Sequence, residues 1–338
     1  MDFLANYFGS LNPMSFLSAL PGNIAQGIIW GLMGLGVFLT FKLLNFADLS
    51  VDGSFATGGA VTAVMLINGC PVWATIIVAI LAGLTAGLVT GLLHTLLGIP
   101  DILAGILTQI ALYSINLNIM GKSNLPISYR NYTLVVSASN INMAILVGLG
   151  ICAVVIAAMY WYFGTEQGST IRSTGSNPAM SKAQGININF TKVIALALSN
   201  GLVALSGSLF AQYQGFADIN MGRGAIVIGL AAVIIGEVLG EAIFRKHMNF
   251  IIRMVFVIVG GILYYIAMGI VLWLKMPTDD TKLFTAIIVA IFLAVPYLQK
   301  KRKTSFKKVA KMNAKNAQKE GEECLKSRMY GKPLIKAQ

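Results

Sequence analysis

Charged residues are scarce in this sequence: Asp, Glu, Lys and Arg make up 11% of its 338 residues, whereas a soluble globular protein has about 25%. Apolar residues instead reach 56%, and the mean hydropathy is +0.75. So little charge cannot cover the surface of a soluble fold of this size, and so much apolar content excludes a disordered chain. The composition therefore predicts a polytopic membrane protein.

Cysteine and histidine are rare as well. The three cysteines, Cys70, Cys152 and Cys324, are far apart and odd in number, which argues against a disulfide framework. The only two histidines, His94 and His247, are also far apart, which argues against a zinc site. No motif of a serine hydrolase or a zinc protease occurs. We therefore expect no catalytic site, no metal site and no cofactor in this chain, which is not predicted to be an enzyme.

The two ends of the chain differ in charge. Residues 299–338 hold 13 of the 25 basic residues and three of the 13 acidic residues. After a hydrophobic body, such a tail is interpreted as a cytoplasmic terminus under the positive-inside rule, and not as a segment that binds nucleic acid. Residues 1–20 lack the basic region of a cleaved signal peptide and are predicted to form an interfacial segment.

Between these ends, residues 21–298 are predicted to form an all-α polytopic transmembrane domain. Nine stretches are candidates for membrane-spanning helices, some of them short or broken. Counting back from a cytoplasmic tail places the N-terminus outside the membrane and the polar loop 164–189 inside. The candidate spans are 24–44, 54–69, 72–97, 100–120, 141–163, 190–213, 225–243, 249–275 and 283–298.

Glycine spacing predicts close packing of one of these helices. Gly83, Gly87 and Gly91 follow one another at intervals of four residues and so share a helix face. Small residues at this spacing let two backbones approach closely in lipid. Packing within the chain is favoured here over a dimer interface.

The most informative feature is an internal repeat at an offset of 170 residues. Residues 31–48 read GLMGLGVFLTFKLLNFAD and residues 201–218 read GLVALSGSLFAQYQGFAD. Both end in a Phe-Ala-Asp triplet, followed by a polar, glycine-containing turn and an apolar segment, so the halves lie near 31–65 and 201–235. Because an odd number of predicted spans separates the triplets, the two halves have opposite orientations. Such an inverted repeat is typical of transporters.

The repeat predicts two broken helices, with breaks at 46–54 and 216–224, that border a translocation pathway. Asp48 and Asp218 are interpreted either as helix N-caps or as ligand contacts, and the sequence leaves both alternatives open. Polar residues elsewhere in apolar segments are expected either to line the pathway or to form hydrogen bonds between helices. The predicted pathway residues are Asp48, Ser50, Asp52, Gln109, Asp218 and Asn220.

The loop 164–189 carries the signals of a short helix at about 178–184. Asn177 is suited to the N-cap, Pro178 to the first turn and Gly185 to the C-terminal stop. A passive linker needs neither the start nor the stop signal. A short capped helix between two spans has the shape that docks into a groove of another protein.

Three stretches carry a family resemblance. The first is the loop, whose pattern of small and amide residues consists of Gly168, Gly175, Asn177, Ala183, Gly185, Ile186 and Asn187. The second is the run from Asn45-Phe46-Ala47 into Asp48-Leu49-Ser50-Val51, and the third is Ala231-Ala232-Val233 followed by Gly236. In these places the sequence resembles ABC-importer permeases of the ribose and branched-chain amino-acid class. The resemblance covers about residues 15–295. The sequence departs from the family pattern around 237–248 and beyond 299.

The resemblance implies a permease subunit of an ATP-driven importer in a bacterial plasma membrane, working by alternating access. Its expected partners are a second permease subunit (another copy of this chain), two ATPase subunits that hold ATP and Mg, an external substrate-binding protein and the lipid bilayer, but no nucleic acid. By the same resemblance, the loop forms a coupling helix that transmits movement of the ATPase. The residues assigned to this coupling are Arg172, Gly175, Asn177, Pro178, Lys182, Gly185 and Ile186.

An ion-coupled secondary transporter is the main alternative, because an inverted repeat fits that class equally well. A secondary transporter has no partner that requires a docking helix, which favours the ATP-driven importer. A membrane enzyme or an assembly protein is disfavoured by the missing catalytic cluster. The motif around Asp48 mixes sugar-like and amino-acid-like forms, and its Asn-Phe-Ala part favours an amino acid, aromatic or branched, as the substrate.

Overall fold

A computed structural model describes residues 13–128, 132, 134–244 and 248–274, with positions 283–284, 286–287, 289–291 and 294. The chain divides into two units, Met1–Val289 and Ala290–Gln338. In the second unit the described residues are Ala290, Ile291 and Ala294, which are helical. The elements of the first unit are α1 (Pro13–Val37), a π-helical segment (Phe38–Leu43), α2 (Val51–Ile67), α3 (Val72–Thr95), α4 (Asp101–Met120), β1 (Asn124–Pro126), α5 (Ile141–Gly164), α6 (Glu166–Ser176), α7 (Pro178–Ala183), α8 (Ile188–Gln214), β2 (Phe216–Asp218), α9 (Ala225–Phe244) and α10 (Phe250–Trp273).

Within the described residues, seven helices are long and apolar enough to cross a membrane: α1 with its π-helical extension, α3, α4, α5, α8, α9 and α10. Helix α2 is apolar but shorter, at 17 residues. The predicted all-α polytopic fold is therefore confirmed, and eight of the nine predicted spans coincide with these helices. The ninth, 283–298, lies largely outside the described residues, as does the predicted tail 299–338.

Two boundaries differ from the predicted ones. The first helix begins at Pro13, inside the predicted interfacial segment 1–20, of which residues 1–12 lie outside the described part. Proline is well suited to a first helical turn, where its missing N–H is not needed. The stretch 225–243, which looked short in the sequence, is a helix of 20 residues, long enough to span a bilayer with little tilt.

Helices α1 and α8, which occupy matched positions in the repeat, form the centre of the first unit. In their most apolar stretches 83% and 72% of residues are buried, against 22–39% in α3, α4, α5, α9 and α10. The outer helices expose apolar side chains to the lipid, whereas the two central ones are covered by protein. The main core cluster accordingly draws more residues from α1 and from α8 than from any other helix.

The two halves of the repeat make equivalent contacts with each other. Helices α2 and α3 of the first half pack on α8 of the second, and α9 and α10 pack on α1. Glycines make these approaches close: an added Cβ at Gly83 or Gly87 of α3 would run into the backbone of α8 at Asn200 or Leu196. The face predicted from the glycine spacing therefore packs within the chain.

Both predicted helix breaks are present, but the first, predicted at 46–54, ends at Ser50 because α2 already begins at Val51. After the π-helical segment the chain leaves helical geometry at Leu44–Ser50, with Asn45 at a positive φ of 55°. The second break begins at Gly215, which ends α8 in the left-handed conformation. It continues through β2, which pairs antiparallel with β1 in the register Leu125 to Ala217.

Candidate translocation cleft and coupling loop

The two helices that follow the breaks, α2 and α9, begin next to each other; we call them the half-helices because each continues the chain after an interrupted helix. The two carboxylate oxygens of Asp52, in the first turn of α2, accept hydrogen bonds from the backbone N–H groups of Gly224 and Ile226, both at 2.9 Å. The first N–H groups of a helix have no intrahelical partner and carry its positive end, so a carboxylate stabilises them. Asp52 thus belongs to one half of the repeat and caps the helix of the other.

Asp48 and Asp218 form the same local turn at matched positions. Asp48 Oδ1 accepts from the N–H of Ser50 at 2.9 Å, and Asp218 Oδ1 accepts from the N–H of Asn220 at 2.6 Å. Each bond reaches only the residue two positions on, as in an Asx turn. Helix α9 has its cap from Asp52 instead, so the N-cap interpretation of Asp218 is wrong.

The surroundings of these two carboxylates differ. Asp48 is 2% exposed and also accepts from the hydroxyl of Ser50 at 2.5 Å and from Asn200 Nδ2 on α8 at 2.7 Å. Asp218 is half-buried, and Asn124 approaches it at 3.5 Å. The structure therefore places Asp48 and Ser50 in a buried network, and Asp218 and Asn220 nearer the surface.

An open cleft lies where the two half-helices meet. Its volume is about 340 Å³. Of the predicted pathway residues it brings together Asp52 and Gln109. It adds two residues that the sequence did not single out, Tyr113 and Arg223, and the guanidinium of Arg223 lies 5.9 Å from the centre of the Tyr113 ring. The complete lining is Asp52, Gly53, Gln109, Ile110, Tyr113, Ile219 and Arg223.

Weak signals for the two added residues were present in the sequence. Tyr113 follows Gln109 by four positions on the same helix, which places both on one face. Arg223 lies in the polar turn of the second break, directly before Gly224. A cation at the start of a half-helix is unfavourable for that helix, so its presence there points to another use.

The cleft can bind a small zwitterion. It presents a carboxylate, a guanidinium and the aromatic ring of Tyr113 within one opening. A guanidinium binds a carboxylate with two parallel hydrogen bonds, and an ammonium group is attracted to Asp52. An aromatic ring packs well against an apolar or aromatic side chain.

The short helix predicted in the loop is present as α7. The side chain of Asn177 accepts from the N–H of Met180 at 3.1 Å, with Pro178 in the first turn. At its end Gly185 has a φ of 82°, and the N–H of Ile186 bonds to the carbonyl of Ser181 at 3.1 Å. This is a Schellman motif, the arrangement that a glycine stop predicts.

The residues assigned to coupling divide into two groups. An exposed group on and beside α7 consists of Asn177, Pro178, Lys182 and Gly185, with Ile186 half-buried. The other group holds the loop to the transmembrane helices: the Arg172 side chain donates to the carbonyl of Phe163 at 2.9 Å, and Gly175 lies against the backbone of Leu43.

Helix α6, which precedes α7, was not predicted from the sequence. It buries Gly168, Ile171 and Thr174 on one side. Through Gly175 it contacts the end of the π-helical segment, immediately before the first break. The loop and the break are therefore in direct contact, which provides a path for movement from one to the other.

Comparison with known proteins agrees with this architecture. Residues 22–296 match the family model of branched-chain amino acid transport system permease components. A tyrosine transport system permease protein of Clostridioides difficile (strain R20291) is 42% identical over 88% of this chain and 99% of its own length. An uncharacterized protein of Rickettsia prowazekii (strain Madrid E) is 31% identical over 80% and 95%, and the D-allose transport system permease protein AlsC of Escherichia coli (strain K12) is 27% identical over 68% and 71%.

This match distinguishes between the alternatives that the repeat alone left open. An ion-coupled secondary transporter shares the repeat architecture but not the family. A permease of this family works with ATPase subunits and a substrate-binding protein, and it translocates its substrate without being an enzyme itself. The chain belongs to the family of branched-chain amino acid transport system permease components and is the multi-pass membrane subunit of an ABC transporter.

Proposed function

We propose that this permease imports an amino acid with an aromatic side chain. The observation that carries the proposal is the cleft at the start of the two half-helices. Arg223 binds the substrate carboxylate, Asp52 attracts the ammonium group, and Tyr113 packs against the side chain. The permease of Clostridioides difficile, which is named for tyrosine transport, supports the aromatic class.

The second permease subunit is a further copy of this chain. The cleft is open on the surface of a single chain, where Tyr113 is 43% exposed and Ile110 is 62% exposed. A second copy facing it would enclose the substrate between two equivalent clefts. Enclosure removes water and strengthens the charged contacts, because such contacts are weak in high dielectric.

The ATPase subunits dock on the exposed group of the loop, around α7, and bind ATP and Mg themselves. Met180, 58% exposed, is an apolar contact for that docking, and Lys182 provides a charge beside it. This arrangement requires the loop 164–189 in the cytoplasm of a bacterial cell. The N-terminus then lies outside and the basic tail inside.

The experiment is uptake of labelled tyrosine by proteoliposomes that contain the permease, its ATPase and its unmodified binding protein. Arg223→Gln removes the carboxylate contact and should reduce uptake at least about tenfold, because a hydrogen bond to a charged group contributes about 1.5–3 kcal/mol. Arg223→Lys should retain part of the activity. Lys122→Gln, an exposed cation outside the cleft, is the matched control and should leave uptake unchanged.

The competitors test the substrate class. Phenylalanine should compete with tyrosine for uptake, leucine less so, and a hexose not at all. Competition by the hexose but by none of the amino acids would exclude the proposed class. Wild-type uptake in Arg223→Gln would exclude the cleft as the site, whatever the substrate is.

A further inference from the structure

Two adjoining cavities lie on the outside of the bundle, at the end of α5 that leads into the coupling loop. The first is a groove of about 320 Å³ between α3, α5 and α8, with walls of apolar and aromatic residues such as Ile80, Leu84 and Leu202. The second has a volume of about 480 Å³ and contains Arg172. Trp161 and Phe163 line both cavities, so the apolar groove and the cavity that carries the charge adjoin at this end of α5.

Arg172 is the only charged side chain among the described residues that line the second cavity. One of its nitrogens donates to the carbonyl of Phe163 at 2.9 Å, and its guanidinium lies 5.9 Å from the centre of the Phe250 ring. Within the described part of the chain no carboxylate pairs with it. A guanidinium has five N–H donors in a fixed fork, so the side chain is held in place with donors left for an anion.

The aromatic residues place these cavities at the membrane surface. Tyr160 is 54% exposed and Trp161 is 74% exposed, just before α5 ends at Gly164. Exposed Trp and Tyr near the end of a spanning helix are typical of the level of the lipid headgroups. Below that level the groove meets acyl chains, and at that level Arg172 meets phosphates.

We infer that the two cavities together bind one anionic phospholipid, with its phosphate on Arg172 and one acyl chain in the groove lined by Ala158, Leu202 and their neighbours. The charge of Arg172 and the apolar groove require a ligand that is anionic at one end and aliphatic at the other. Basic pockets between spanning helices recognise anionic headgroups in this way. Free phosphate lacks the acyl chain, and a neutral lipid lacks the net charge.

The bound lipid would affect coupling. Arg172 lies on α6, the helix whose Gly175 contacts Leu43 at the end of the π-helical segment. A phosphate on Arg172 would hold α6 against the ends of α5 and α10. Anionic lipid should therefore raise the ATPase activity that loaded binding protein stimulates, a consequence that rests on the proposed coupling role, whereas the binding itself does not.

The test uses the complete transporter in nanodiscs of phosphatidylcholine with or without phosphatidylglycerol, and native mass spectrometry counts the anionic lipid that stays bound. Arg172→Gln should lower retention about fivefold, the effect of about 1 kcal/mol for one basic residue at an anionic surface. Arg172→Lys should retain an intermediate amount. Lys122→Gln should match the wild type.

A second variant leaves Arg172 in place. Ala158→Trp fills the apolar groove and should also lower retention, which separates loss of the site from misfolding of the loop. Unchanged retention of phosphatidylglycerol in both variants would overturn the inference. So would efficient cross-linking between two copies through Ala158→Cys, because the groove would then be a protein interface. The lipid site and the proposed substrate can fail separately. If Arg172→Gln loses the lipid but the wild-type transporter takes up no tyrosine, the lipid site stands and only the proposed substrate is contradicted.

Discussion

The two helix breaks contain the same Phe-Ala-Asp triplet and the same aspartate turn, but they lie in different surroundings. The first break is buried, with Asp48 and Ser50 bonded to Asn200 on the central helix α8. The second is half-exposed and is held by the short β1–β2 pairing. The first break contacts the coupling loop through Leu43, and the second supplies Arg223 to the cleft. The same local structure thus lies beside the coupling loop in one half and beside the cleft in the other.

We expect the largest effect from the two aspartates: replacing Asp48 should destabilise the protein much more than replacing Asp218. Asp48→Ala leaves the buried N–H of Ser50 without its acceptor, which costs about 1–3 kcal/mol. It also removes one hydrogen bond each from the Ser50 hydroxyl and the Asn200 amide, which keep other acceptors at 3.2 Å and 3.0 Å, and each lost bond costs about 1 kcal/mol. We expect the free energy of unfolding to fall by about 3 kcal/mol or more, whereas Asp218→Ala should cost about 1 kcal/mol, because water replaces its bond. Thermal unfolding of the purified variants in detergent measures both. Equal losses would show that the two breaks are energetically equivalent.

Much of this arrangement could be predicted from the sequence, because it depends on local signals. The long apolar stretches gave the spanning helices, the repeated triplet gave both breaks, and Asn177-Pro178 with Gly185 gave the ends of α7. These signals act within a few residues, through caps, turns and hydrophobicity.

What the sequence did not reveal depends on contacts between distant segments. Asp52 caps a helix of the other half, more than 170 residues away in the chain, and no local pattern indicates such a partner. Helix α6 is polar overall and becomes stable by packing Ile171 and Gly175 against the transmembrane helices. The π-helical segment likewise lacks a sequence signal, and Tyr113 and Arg223 meet only after the two halves have packed.

The second prediction concerns the contact between the coupling loop and the first break. An added methyl group in Gly175→Ala would run into the carbonyl of Leu43 and push α6 away from the π-helical segment. Overpacking of this kind costs about 1–3 kcal/mol. A cost of about 1.4 kcal/mol to the conformation in which α6 contacts the π-helical segment lowers the equilibrium constant for that contact about tenfold, and we expect uptake to fall by a similar factor. Basal ATPase activity should persist while its stimulation by loaded binding protein is lost.

Gly150→Ala is the matched control for that variant. Gly150 is also helical, but an added Cβ there meets no atom within 4 Å, and alanine is the better helix former. Its uptake should equal that of the wild type. Normal stimulation of the ATPase in Gly175→Ala would contradict a role for this contact in transmission and would favour a route through the exposed residues around α7.

The smallest expected effect comes from the ion pairs of Glu237, one of which joins the two halves beside the first break. Glu237 on α9 pairs with Lys42 of the π-helical segment at 2.8 Å and with Arg253 on α10 at 3.2 Å, and the Lys42 and Arg253 side chains are 41% and 36% exposed. Exposed ion pairs contribute about 0–1 kcal/mol each, less in salt. Glu237→Gln should therefore lower the free energy of unfolding by about 0.5–1 kcal/mol at low salt, with the difference from the wild type disappearing at high salt. Because Lys42 precedes the same break that the loop contacts, the variant should also change the salt dependence of uptake. A loss of stability that persists at high salt would mean that Glu237 acts through packing of its side chain. The first break would then be distinguished from the second by the buried network of Asp48 and not by these ion pairs.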